Sequence, residues 1–243
     1  MSKIALPSFV PHSQSIAYLD FQGGLFDVLR LRFLYEESKI GGRQLEKQLT
    51  ETLLRAGVIL TITAWEVFVE GIITEQFDIK HDEAFETYHM ENAFNFAAEL
   101  WLKAKRTPAD LAEWTGYGWK DFVAEQFHKE INGLNTPSSN NIRTLSRIYL
   151  GKDMTAFWSW KGMLPARACH KLDEFIKLRG RLVHTGRDVS VKRAMVTANQ
   201  FDSALALIVK LANKTYAGFY RPTPLPKKNR VAPIGRKVGN VGP

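Results

Sequence analysis

The chain has 243 residues, of which 45% are hydrophobic and 12% aromatic, so it is large enough to bury a core without disulfides or metals. Its formal net charge of +8 suggests a nucleic-acid partner, but six of those charges fall in the last 23 residues, which leaves +2 on the rest. The single cysteine excludes an intramolecular disulfide, and residues 1–14 lack the apolar stretch of a secretory signal, so a cytoplasmic location is expected.

The first half of the chain predicts long helices. Apolar residues at helical spacing predict a helix over Leu25 to Ile40, ended by Gly41-Gly42. A longer helix is predicted from about Gln44 to Phe77. Its most apolar stretch, Ala56 to Trp65, is interrupted by Glu66 and falls short of the roughly 20 residues that cross a bilayer. We therefore expect a buried central helix and no membrane partner.

Further helices are predicted along the second half of the chain. Two lie over Asp82 to Lys105 and Tyr117 to Ile131, with Thr107-Pro108-Ala109-Asp110 between them as a cap followed by a proline. Asn132 to Asn141 predicts a loop. Two short and two long helices complete the series: Ile142 to Leu150, Met154 to Trp160, Pro165 to Thr185 and Ser190 to Tyr220. Because no segment alternates with period two, the predicted fold is all-α.

The predicted organisation is one helical domain and a tail. The domain spans residues 1–220, with its core from about residue 44 to 220. The tail, residues 221–243, is rich in proline and glycine and carries six basic side chains and no acidic one. This composition predicts disorder and an affinity for phosphates that weakens with salt.

Common catalytic motifs are missing from the sequence. It has no glycine-rich phosphate loop, no His-Glu-x-x-His and no cysteine pair. His81-Asp82 resembles the metal dyad of HD phosphohydrolases, but the other ligand segments of that family are not evident. No metal or cofactor is therefore predicted. Cys169 and His170 are adjacent and diverge by about 100° on a helix, so they are interpreted as a packed thiol beside a surface histidine.

The segment from Lys171 to Asp188 reads KLDEFIKLRGRLVHTGRD and carries an apolar stripe at helical spacing. Arg179 lies on that stripe. A guanidinium does not lose its proton, so its place there is costly unless an anion or a polar cavity receives it. A structural salt bridge, for instance to Glu66, is one explanation. A binding or catalytic site is the other.

His184 follows Arg179 by five positions, near the predicted helix end. In a straight helix the two side chains diverge by about 140°, so a long arginine reach, a break near Gly180 or a partner subunit must bring them together. Arg181 and Arg187 are each three residues from His184. An electropositive setting of this kind favours the neutral imidazole, which can act as a base.

These residues resemble the HEPN domains, because Arg179-x4-His184 matches their Arg-x4-6-His motif. The flanking KLDEFIKLRGRLVHTG is similar to the motif helix of the RiboL-PSP group. Three further segments resemble that group in the expected order: RAGVILTITAWEVFVEGII (Arg55 to Ile73), GLNTPSSNNIRTL (Gly133 to Leu145) and WSWKGM (Trp158 to Met163). One departure is Gly180, which occupies a position that is commonly polar in the family.

The resemblance implies a HEPN-like helical bundle with extra helices, and a metal-independent endoribonuclease that acts as a homodimer with a composite cleft. Arg179 would then stabilise the transition state, and His184 would be the general base or acid. Accessory or RNA-binding roles are expected for Arg181, Arg187, Glu66 and Lys177. A toxin or antiviral role is expected, with an antitoxin or a defence-system subunit as a possible partner.

Two other interpretations remain open. The chain is alternatively a non-catalytic HEPN-like module that binds RNA or protein, such as an antitoxin or a subunit of a defence complex. A purely structural helical protein would explain the apolar stripe as an interface and Arg179 as a salt bridge. Five tryptophans are candidates for stacking on bases, although their helical spacing is more typical of a core: Trp101, Trp114, Trp119, Trp158 and Trp160.

Overall fold

The computed structural model describes residues 15–40, 47–104, 114–134, 137–184 and 196–220. Within these ranges the secondary structure is helical and no strand is present, which confirms the all-α prediction. The α-helices, in chain order, are α1 (Ile16–Ile40), α2 (Lys47–Glu83), α3 (Glu91–Lys103), α4 (Gly118–Asn132), α5 (Ser139–Leu150), α6 (Pro165–His184) and α7 (Ala198–Tyr220). Two 3₁₀ turns, Thr87–Met90 and Met154–Phe157, precede α3 and α6. The predicted stop at Gly41-Gly42, the cap at residues 107–110 and the tail lie outside the described residues.

Helix α2 is the centre of the fold, because α1, α4, α5, α6 and α7 all pack against it. It has 37 residues, and its buried side chains include Val58, Ile62, Trp65, Phe68 and Ile72. Its length and composition alone would allow it to cross a bilayer, but 56% of its apolar window is buried in this fold. Such burial is typical of a core helix, as the sequence predicted.

Helix α1 begins at Ile16, well before the predicted start at Leu25. The Oγ of Ser15 accepts a hydrogen bond from Tyr18 N (3.0 Å), and Oε1 of Glu75 on α2 accepts one from Ala17 N (2.7 Å). These two acceptors satisfy N–H groups that have no partner in the first turn of a helix. The start of α1 therefore depends partly on a residue 58 positions away.

Glu75 also holds the end of the last helix. Its Oε2 accepts a hydrogen bond from the hydroxyl of Tyr220 (2.8 Å), the final residue of α7. Burial raises the pKa of Tyr220 to about 12, and the hydrogen bond to Glu75 adds to the rise. One carboxylate thus joins the first turn of α1 to the last turn of α7. We call this arrangement the Glu75 clasp (Glu75, Ala17 and Tyr220).

Helix α5 also starts earlier than predicted, at Ser139 instead of Ile142. Ser138 caps it, since its Oγ accepts a hydrogen bond from Asn141 N (3.3 Å). Asp173 on α6 accepts hydrogen bonds from the backbone N (2.8 Å) and the Oγ (2.7 Å) of Ser139. Part of the predicted loop is therefore helix, and its first turn is attached to the helix that carries Arg179.

Three other predicted helices differ from the observed ones in their bounds or type. The predicted helix over Asp82 to Lys105 is divided, because α2 continues to Glu83 and a 3₁₀ turn precedes α3. The predicted helix over Met154 to Trp160 is a 3₁₀ turn of four residues. Helix α7 begins at Ala198, and residues 190–195 of its predicted range lie outside the described residues.

Candidate functional site

Helix α6 is continuous from Pro165 to His184 and carries the Arg-x4-His motif in its last turns. Gly180 lies within it, and a Cβ added there would meet nothing within 4 Å. The helix therefore has no break near Gly180, which was one of the expected ways to bring Arg179 and His184 together. The backbone position of His184 stays about 140° around the helix from Arg179, so the two positions do not face the same side of α6 within one chain. The His184 side chain lies outside the described part of the structure.

The Arg179 side chain points to α2 and forms an ion pair with Glu66. Its Nη2 lies 3.0 Å from Oε2 of Glu66, and 28% of the Arg179 side chain remains exposed, against 13% for Glu66. Among the described residues, Nε of Arg179 and Oε1 of Glu66 are buried without a hydrogen-bond partner. The pair is thus a single contact and not the two-bond fork that arginine and carboxylate can form. Part of its hydrogen-bonding capacity is unused.

Burial has the largest effect on the pKa of Glu66. It raises the pKa of Glu66, and the neighbouring carboxylate of Glu70 adds to the rise while Arg179 opposes it. Burial also raises the pKa of Glu70, one turn along α2. Each carboxylate thus ionises less readily than in water. The coulombic effect of Arg179 on the Glu66 carboxylate is therefore smaller than the effect of burial.

Arg55 is a further member of this site that the sequence analysis did not assign. It lies eleven residues before Glu66 on the same face of α2, about 16 Å away along the axis, so the two side chains do not pair. Its Nη2 instead donates a hydrogen bond to the carbonyl of Leu182 (3.0 Å). That carbonyl is among the last four of α6, which lack helical partners and favour a cation. Arg55 therefore fixes the turn that contains His184.

The accessory basic residues lie on a different face of α6 from Arg179. Lys177 and Arg181 are exposed, and their spacing places them on one face with the backbone position of His184. The structure thus brings Arg179 and Glu66 together where α6 faces α2, with Arg55 bound separately to the Leu182 carbonyl, and it places Lys177 and Arg181 away from the ion pair. Arg187 lies outside the described residues.

The cysteine, histidine and tryptophan side chains considered from the sequence lie either in the core or at the surface. Cys169 is buried, which raises the pKa of its thiol, and the side chain of His170 is 74% exposed, so the interpretation as a packed thiol beside a surface histidine is confirmed.

In the part of the chain that the structure describes, no three potential metal ligands cluster. Three of the five tryptophans are buried in the core, as their spacing predicted: Trp101, Trp119 and Trp158. Trp114 and Trp160 are only partly buried.

The sequence model of the RiboL-PSP-HEPN family matches residues 30–217. The chain belongs to the RiboL-PSP-HEPN family. The match runs from within α1 to within α7, so it includes every residue of the Arg179 site. No match was found among curated proteins, and none among solved structures. HEPN membership confirms the resemblance seen in the sequence and indicates a ribonuclease or an RNA-binding module.

Proposed function

We propose that this HEPN protein is a metal-independent endoribonuclease that acts as a homodimer in the cytoplasm, as a toxin or an antiviral effector. The observation that supports this best is the state of Arg179. It is held by a single contact to Glu66, and more than a quarter of its side chain is exposed. A guanidinium that served only to fasten α6 to α2 would be expected to be sealed and bidentate.

The chemistry needs few protein groups, because RNA carries its own nucleophile. His184 removes the proton of the 2′-hydroxyl, whose oxygen attacks the adjacent phosphorus. Arg179 stabilises the charge that develops on the non-bridging oxygens. The bond to the 5′-oxygen then breaks as that oxygen takes up a proton from an acid, which we assign to His184 of the second subunit. The products are a 2′,3′-cyclic phosphate and a 5′-hydroxyl, and DNA is resistant because it lacks the 2′-hydroxyl.

A second copy of the chain is part of this proposal. Continuous α6 separates the motif positions by about 140° within one chain, so a partner is the simpler way to complete the site. An apolar face of α2 supports this: Leu60 is 38% exposed and Val67 is 50% exposed. Val67 follows Glu66 directly, so this face lies about 100° around α2 from the Glu66 side chain. Exposed apolar faces of this kind commonly mark protein interfaces.

One observation favours a second candidate, a non-catalytic HEPN-like module that binds RNA or an antitoxin or defence partner. The guanidinium of Arg179 already has a carboxylate partner, and no break at Gly180 turns His184 toward it. A site of this kind would bind phosphate by displacing Glu66 without cleaving the strand.

The test is cleavage of single-stranded RNA in excess chelator by the full chain and by Arg179→Ala and His184→Ala. Lys129→Ala, an exposed lysine on α4, serves as the control. We expect the wild type and the control to release 2′,3′-cyclic phosphate ends, and both motif variants to lose at least 100-fold in rate. Equal cleavage by all four proteins would identify a contaminant. RNA binding without cleavage would establish the second candidate. Growth arrest on expression, relieved by Arg179→Ala, would support the toxin role.

A further inference from the structure

A groove lies between α6 and α7, outside the Arg179 site. It has a volume of about 430 Å³, within the usual range of ligand pockets. Six of its lining residues matter here, three from the α6 side and three from α7: Trp160, Lys171, Phe175, Ser203, Ala206 and Lys210. We call it the α6–α7 groove.

The groove has space on its α7 side where two of the lining residues are small. Ser203 and Ala206 are exposed and leave space beside the rings of Trp160 and Phe175, which are only partly buried. The Trp160 backbone is fixed by a reciprocal pair of hydrogen bonds with Met163, of 3.1 Å and 2.8 Å. The groove thus presents positioned aromatic surface to solvent.

Two lysines lie on the walls of this aromatic groove. Lys171 comes from α6 and Lys210 from α7, and neither forms an ion pair within the described residues. The acidic residues next to Lys171 along α6 are engaged elsewhere, because Asp173 accepts from Ser139 and Glu174 lies 3.6 Å from His170. Two ammonium groups and two partly exposed rings in one groove are complementary to a ligand that combines phosphate with an aromatic base.

The groove residues of α6 are related to Arg179 by their spacing along the helix. Lys171, Phe175 and Arg179 follow one another at four-residue steps, so they form one ridge of α6. Lys171 and Arg179 are about 12 Å apart along the axis. A nucleic-acid strand that lies in the groove is therefore directed along α6 toward the guanidinium of Arg179.

From this geometry we infer that the α6–α7 groove binds a nucleotide of single-stranded RNA, with its base against Trp160 and Phe175 and its phosphates at Lys171 and Lys210. This inference rests on the proposed function, since it takes the ligand to be the RNA on which Arg179 acts. Stacking and phosphate contacts do not depend on base identity. The groove accordingly adds affinity for RNA and orients the RNA along α6, with little preference for base sequence.

The test measures binding of a fluorescent single-stranded RNA oligomer to the full-length protein by anisotropy at several salt concentrations. The variants are Lys171→Gln with Lys210→Gln, which removes both ammonium groups, and Ala206→Phe, which fills the groove from an exposed position. Lys129→Gln on α4 is the matched lysine control. Loss of two phosphate contacts should lower affinity roughly tenfold at 0.15 M salt and make the slope of log K against log salt shallower by about 1.4.

The outcomes separate this inference from the nuclease proposal. Weaker binding in the double variant and in Ala206→Phe, with the control unchanged, supports the groove whether or not cleavage occurs. Unchanged affinity and salt slope in both groove variants would overturn the groove, even if Arg179 is needed for cleavage. Weakening by the double variant with no effect of Ala206→Phe would also overturn it, because lysines without groove occupancy would then explain the affinity.

Discussion

Nη2 of Arg179 stands 3.0 Å from Oε2 of Glu66 and joins the end of α6 to the middle of α2. A phosphate and this carboxylate would compete for the same guanidinium. The Glu66 carboxylate therefore lowers the availability of Arg179 in the free protein, and its removal should have a measurable effect on RNA affinity.

Glu66→Gln should increase RNA affinity about two- to fivefold, because the guanidinium loses a competing anion while the side-chain shape is retained. Anisotropy with single-stranded RNA measures the change, and Glu125→Gln, at an exposed position on α4, is the matched control. A loss of affinity in Glu66→Gln would instead show that the carboxylate orients Arg179 for its ligand.

Stability should decrease as pH rises just above the usual pKa of glutamate. The folded-state pKa values of Glu66 and Glu70 are raised, mainly by burial, so the folded chain binds these protons more tightly than the unfolded chain. Their contribution to stability is present at low pH and is lost as pH rises through the raised values. Thermal melts between pH 4 and pH 7 should show a flatter profile for Glu66→Gln than for the wild type. Identical profiles would contradict the pKa shift of Glu66.

Gly180→Ala should stabilise the protein by about 0.5–1 kcal/mol, because α6 is continuous there and the added Cβ meets nothing. Chemical denaturation measures the change. Gly57→Ala is the contrasting variant, since its Cβ would lie 2.5 Å from the ring of Phe201, and a cost of about 1–3 kcal/mol is expected. A destabilised Gly180→Ala would mean that α6 requires glycine at this position.

Arg55→Ala should loosen the last turn of α6, because the Leu182 carbonyl loses its donor. A stability loss of about 1–2 kcal/mol is expected, together with reduced cleavage, since the same turn carries His184. Arg55→Lys keeps the charge and should retain part of both properties. Full activity in Arg55→Ala would remove Arg55 from the candidate site.

Mixing the wild type with a His184→Ala chain tests the composite cleft. A heterodimer of the two contains one intact His184, so it lacks either the base or the acid of the proposed reaction. Coexpression with an excess of the His184→Ala chain should therefore lower the cleavage rate per wild-type chain well below that of the same amount of wild type alone. An unchanged rate per wild-type chain, although heterodimers form in sedimentation analysis, would contradict a site shared between subunits.

The sequence predicted which segments form helices better than it predicted where those helices begin and end. Helices α2 and α6 were recognisable because their apolar residues recur at helical spacing over many turns. The first nine residues of α1 were missed because Gly23-Gly24 resembles a helix stop and the cap from Glu75 is distant in sequence. A Cβ at Gly24 would make only ordinary contact with Ala64, at 3.5 Å, whereas Gly71 of α2 permits the close packing of α1, because a Cβ there would lie 2.7 Å from the Cβ of Ala17.

The candidate site was predictable in part for a similar reason. Glu66 and Arg179 each lie on an otherwise apolar face, which made Glu66 one candidate partner of Arg179 before the structure placed them together. The contact of Arg55 with Leu182 could not be predicted, because its acceptor is a backbone carbonyl and leaves no trace in the residue type. The α6–α7 groove likewise depends on two helices whose approach is set by the whole fold.

The Glu75 clasp has a consequence for protein engineering. Because the first turn of α1 and the last turn of α7 hold the same carboxylate, Ser15 and Tyr220 lie at one corner of the domain. A short linker between these two positions would preserve the clasp, which makes the domain a good candidate for circular permutation with new termini in a surface connection.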